Sequence, residues 1–165
     1  MRLIDPLPAA TPFEGTLAHR EALLQRYRTF YRALWQDERV PRRLLELCRL
    51  RVAAIHDCAA ELAVATEGVQ LTDVERADVI AGNEAAFAAR FSAAEQAGLA
   101  LAEAMPYRHH HIADEEVARV RAALGDAASV ALLTAIAFFD VNCRLKLVLE
   151  VPAAPQAGVS AGTLA

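Results

Sequence analysis

The chain has 165 residues, enough for one domain that closes its own hydrophobic core without disulfides. Apolar side chains make up 55% of it, largely Ala, Leu and Val, while Gly and Pro number seven each and aromatics reach 6%, a composition that favours helices. The net charge of −4 mixes both signs along the chain, and no basic stripe with interleaved aromatics is present to track a phosphate backbone, which argues against nucleic acid as a partner.

Residues 1–15 carry Pro6, Pro8 and Pro12 and read as an extended N-terminal arm; they lack the unbroken apolar run of a signal peptide. Thr16 is placed to cap a helix running to about residue 36, with Leu17, Leu24, Tyr27, Tyr31, Leu34 and Trp35 recurring at helical spacing. Pro41 suits the first position of a second helix to residue 55, whose Leu44, Leu45, Leu47, Cys48, Val52 and Ile55 cover most of its circumference. That helix is expected to be largely buried, with Arg42, Arg43, Glu46, Arg49 and Arg51 left to meet water. The stretch from Ile55 to Cys58 interrupts the pattern, and Asp57 reads as the cap of a third helix, 58–67, stopped by Gly68.

Further on, Thr72 with Glu75 and Ser92 with Glu95 each make a capping-box pattern before an apolar run. Pro106 is expected to end the second of these helices. Asp114 begins another helix ended by Gly125, and Asp126 caps a long last one through Val130, Leu133, Ile136, Val141 and Val148. No segment alternates with period two, so the expected fold is an all-α compact helical bundle over residues 16–151, followed by a flexible tail, 152–165. Charged residues interrupt every apolar stretch short of the roughly 18 residues a membrane span needs, and the three cysteines, Cys48, Cys58 and Cys143, are odd in number and widely spaced. Both features point to a soluble cytoplasmic protein with no membrane partner.

The chemistry concentrates between Glu46 and Cys58. A carboxylate on so apolar a helix is costly unless paired, and Arg49 or Arg51 would serve as its partner. Twelve residues of straight helix span about 18 Å, so Glu46 meets Cys58 only if the chain folds back near His56 and Asp57. Cys58 itself fits two roles, an inert small core residue or a reactive thiol. Cys48 and Cys143 lie in apolar helical runs and read as core. His109, His110 and His111 are adjacent, share no helix face and read as a solvated loop, so no metal or other cofactor is expected. Asp140 and Arg144, four apart, are expected to pair near Asn142.

Glu46, the run Leu50-Arg51-Val52-Ala53 and Cys58 resemble the core of the alkylhydroperoxidase D branch of the carboxymuconolactone decarboxylase superfamily, where a Glu, a Leu-Arg-Val-Ala run, a Cys-x-x-Cys pair and a later His form a proton-relayed dithiol site. The order of the helix starts at Phe91-Ser92 and Asp114-Glu115 and of Phe139-Asp140-Val141-Asn142-Cys143 is also similar, so the resemblance spans residues 17–151. It implies a helical bundle of that type, homo-oligomers, a small hydroperoxide or lactone-like substrate, and an antioxidant peroxidase in which Cys58 is the peroxide-reactive thiol and Glu46 the relay carboxylate. Two departures stand against the matches: Glu61 occupies the place of the second cysteine, and Ala60 and Ala65 those of the motif histidines. His56 is a candidate substitute relay. Glu61-Leu62 echoes the acid of the decarboxylase lyases, again without their His, and the double loss also fits a non-catalytic oligomer or binding protein that kept the fold. With the motif pair gone, oxidation is expected to stop at a sulfenic acid or mixed disulfide on Cys58.

Overall fold

The structure, a computed structural model, describes residues 4–153, and every regular element among them is helical: α1 (Pro12–Leu17), α2 (Glu21–Gln36), α3 (Arg42–Ile55), α4 (Ala59–Leu62), α5 (Asp73–Ala81), α6 (Glu84–Arg90), α7 (Ala93–Arg108), α8 (Asp114–Leu124) and α9 (Asp126–Val148). Helix α3 is the axis. It packs along α7, α9 and α5, and α8 closes the far side against α7 and α9. Its Leu44, Leu45, Cys48, Val52 and Ala53 are buried against Leu101, Ala102, Leu132, Ala135, Ile136 and Phe139 in the main core, while Leu47 and Leu50 on its other side pack with Val79, Phe91 and Leu99 in a second cluster. Gly98 lets α7 come close to α3, since a Cβ there would stand 2.7 Å from Leu44 Cδ1 and 3.3 Å from Cys48 Sγ. Helix α2 lies outside this core and is fastened by rings: Tyr27 and Tyr31 stack 5.6 Å apart, both reach Phe138 on α9, and Trp35 meets Phe139 at 5.9 Å.

Several boundaries differ from the sequence expectation for identifiable reasons. The first helix starts inside the proline-rich arm, because Thr11 caps it by accepting from the Glu14 amide at 3.1 Å and Pro12 fills its first position. Thr16 therefore lies within α1, donating to the Pro12 carbonyl, and a 3₁₀ turn at Ala18–Arg20 separates α1 from α2. Pro106 does not end α7, which runs on to Arg108; Arg144 on α9 donates to the Pro106 carbonyl at 2.9 Å and pins that last turn. Gly125, at φ 80°, stands before α9 where Asp126 was expected to cap, and Asp126 is the first residue of the helix. Both capping boxes form as expected, Thr72 with Glu75 and Ser92 with Glu95. The expected tail lies outside the described residues beyond residue 153.

Within the described residues, α9 is 23 residues long with a mean hydropathy of 1.5 over its most apolar window, long and apolar enough by those measures alone to cross a membrane. Here it packs against α3, α7 and α8, and it carries Asp140, Asn142, Arg144 and Lys146 on the turns nearest the candidate site.

Candidate functional site

The turn after α3 decides where the site forms. The Cys58 amide donates to the Ala53 carbonyl at 2.9 Å and the Asp57 amide to Ala54 at 3.1 Å, the paired bonds of a Schellman ending, with Asp57 at φ 50° as the left-handed residue. Asp57 is thus the closing residue of α3 and not the cap of the next helix. Aspartate tolerates this conformation better than most side chains. The expected helix 58–67 is reduced to the single turn α4, and Cys58 precedes it instead of lying in its first turn. The chain does fold back here, laying residues 56–61 along α9.

That reversal is held by a ladder of side chains. His56 Nε2 lies 2.5 Å from Asp140 Oδ1 and Lys146 Nζ donates to Glu61 Oε1, and between these two rungs the buried thiols Cys58 and Cys143 make the third, in one core cluster. The three rungs run in the same order on both sides, at 56, 58 and 61 against 140, 143 and 146. Cys58 and Cys143 are each 1% exposed, Glu61 is 2% and Lys146 8%. Hydrogen bonding from Cys143 pulls the Cys58 thiol below its ordinary range, against burial, with help from the Glu61 backbone amide and the Lys146 charge. Cys143 moves up, because it gives its proton to that bond and is itself buried. Burial, with the Glu95 carboxylate adding to it, pushes the Cys48 thiol up, and it stays in the core as expected.

Below the ladder lies a buried charge cluster. Arg49, 1% exposed, holds Glu46 with both arms of its guanidinium at 2.8 and 2.7 Å and reaches Glu61 Oε2 at 2.9 Å; it also donates to the Glu61 carbonyl at 2.7 Å. Thr66 donates to Glu46 at 2.6 Å. Glu46 and Arg49 therefore do not meet water as the helical pattern of α3 suggested: their desolvation is offset by each other and by Glu61. Burial would raise the Glu61 carboxyl, but Lys146 and Arg49, as charges and as donors, hold it below the usual carboxylate range.

Of the residues singled out from sequence, Cys58 and Glu61 are brought together. Glu46 reaches that neighbourhood only through Arg49 and Glu61, its own oxygens being taken by Arg49 and Thr66. His56 faces away from the sulfur: Nδ1 lies 3.0 Å from the Tyr107 hydroxyl and Nε2 on Asp140, which also receives Arg144 in the expected i, i+4 pair. His109, His110 and His111 form an exposed 3₁₀ turn after α7. Sequence reasoning missed Lys146 and the facing position of Cys143. The available signal is the shared spacing of three, Cys58 to Glu61 at the start of α4 and Cys143 to Lys146 within α9, which sets a thiol about one turn before a charge in each segment.

Beside the cluster is a cavity of about 150 Å³, walled by Phe13, Tyr27, Tyr31 and Val64 with Glu61 and Lys146 at its polar end. Lys146 Nζ also sits 4.9 Å from the centre of the Phe13 ring. Burial first and then nearby charge, Tyr31 and Glu61 acting on Tyr27 and Glu61 on Tyr31, raise both tyrosines, Tyr31 to about 12, so the hydroxyls stay protonated at neutral pH. Cys58 does not line this cavity, although Ala60, Glu61 and Lys146 around it do. Comparison of the chain with known protein families and with characterised proteins finds no match.

Proposed function

We propose that the chain is a peroxidase-type oxidoreductase of the alkylhydroperoxidase D-like kind, in which Cys58 attacks a small hydroperoxide. One observation carries this reading. Cys58 is buried against Cys143 beside the Lys146–Glu61 ion pair, and Cys143, the Glu61 backbone amide and the Lys146 charge lower the thiol pKa, opposed by burial and the Glu61 carboxylate. Thiolate is the reacting form in peroxide reduction, and its share at neutral pH sets the rate. The neighbouring cavity, largely apolar but lined also by Glu14, Glu61 and Lys146, suits an alkyl hydroperoxide whose oxygens meet Lys146 and Glu61. Glu46 acts as a positioning residue through Arg49, and His56 orders the turn that carries Cys58.

A second reading, a non-catalytic oligomer or binding protein, is favoured by the burial of Cys58 and its absence from the cavity wall. Dithiothreitol-driven consumption of tert-butyl hydroperoxide separates the two. Wild-type protein consumes the peroxide and Cys58→Ser does not; if wild type is as inert as the variant, the non-catalytic reading replaces the first. The chain is further proposed to act as a homo-oligomer, supported by the apolar stripe Val130, Ala137, Val141, Leu145 and Val148 exposed along α9.

A further inference from the structure

We infer that Cys143 is the resolving thiol of Cys58, so that the two form a redox dithiol across α4 and α9 in place of a pair within one short motif. The inference rests on the peroxidase reading and deepens it. Three features of the ladder carry it. Cys58 and Cys143 are both buried in the same apolar cluster, and Cys143 is the group that acts most strongly on the Cys58 thiol. They are flanked on one side by the His56–Asp140 rung and on the other by the Glu61–Lys146 ion pair, which fixes the register of residues 56–61 against α9. Cys48, in contrast, lies against Gly98 on the α7 side of α3 and shares no rung of this ladder.

The electrons balance in two steps. The Cys58 thiolate attacks one oxygen of a hydroperoxide; the S–O bond forms as the O–O bond breaks, and the departing alkoxide takes a proton to become an alcohol. Cys58 is then a sulfenic acid, oxidised by two electrons. Cys143 gives up its proton and attacks the Cys58 sulfur; the S–S bond forms and hydroxide leaves with that proton as water. An external dithiol restores both thiols by exchange. Glu61, where the resembling family has its second cysteine, is then free to serve as the counter-charge that keeps Lys146 and Arg49 in the interior.

Trypsin places the three cysteines on separate peptides, 44–49, 52–76 and 122–144, so the products are separable by mass. The experiment treats full-length protein with one equivalent of tert-butyl hydroperoxide, alkylates, and digests without reductant. The expected result is a 52–76/122–144 disulfide, with free thiols falling from three to one per chain and the same bridge forming in Cys48→Ser. In Cys143→Ser, dimedone should label Cys58 in its place. If wild type instead accumulates a dimedone-reactive Cys58 with no bridge, or bridges Cys58 to Cys48, Cys143 is not the resolving thiol while the peroxidase reading stands. If Cys58 takes up no oxygen and forms no bridge in wild type, the peroxidase reading falls and the inference with it. The wild-type digest alone decides these outcomes should either variant fail to fold.

Discussion

At Cys58 the competition is between burial, which favours the neutral thiol, and the donors gathered on its sulfur, which favour the thiolate. The Cys143 hydrogen bond is the largest influence and the donors prevail. The rate of Cys58 alkylation by iodoacetamide, followed by peptide mass, should therefore rise with pH about a midpoint below the roughly 8.5 of an ordinary cysteine. Removing the donor in Cys143→Ala should move that midpoint upward and slow the reaction at pH 7. An unchanged midpoint would mean that Cys143 does not tune Cys58. The sequence shows both residues but not their meeting: 85 positions separate Glu61 from Lys146, and the same separation holds between the two thiols, so only tertiary register brings them together. Glu46 was legible as a carboxylate that needs a partner, and Arg49 three residues on is that partner.

Helices were more legible than their joints. The capping boxes at Thr72 and Ser92 are local devices, readable from four residues, and both form. The turn at Asp57 is local too, but its Schellman bonds depend on a left-handed aspartate where glycine is the usual signal, so the stretch reads from sequence as a helix start. The ends of α4 and α9 are joined instead by buried charge, and this has a pH signature. Glu61 is held below its ordinary range in the fold, so its contribution to stability is present above its unfolded value, about 4.3, and is lost as pH falls through the lower folded value. Wild-type urea midpoints should accordingly drop on acidification below about pH 4. Glu61→Gln should flatten part of that slope and cost about 3–5 kcal/mol at pH 7, because Arg49 and Lys146 are left buried without their shared counter-charge. An equal slope in the two proteins would place the acid sensitivity elsewhere.

Across the whole molecule, the inward faces of α3, α7 and α9 pack against one another within the described residues, while the outward face of α9 is left exposed. Val130 is 65% exposed, Val141 45%, Leu145 42% and Val148 70%, and with Ala137 they recur at spacings of three, four and seven, which aligns them on one side of the helix for most of its length. An apolar stripe that long and straight matches a copy of itself about a two-fold axis, where each residue covers its mate and the contact closes. Sedimentation velocity at micromolar concentration should then show a species larger than 17.8 kDa. Val141→Glu places like charges opposite one another at the middle of such a contact and should return the protein to that monomer mass, with helix content by circular dichroism unchanged because Val141 takes little part in the core. Wild-type protein that sediments as a monomer throughout would reject association through any face. An oligomer that survives Val141→Glu would place the interface away from α9, and the exposed stripe would then need another occupant.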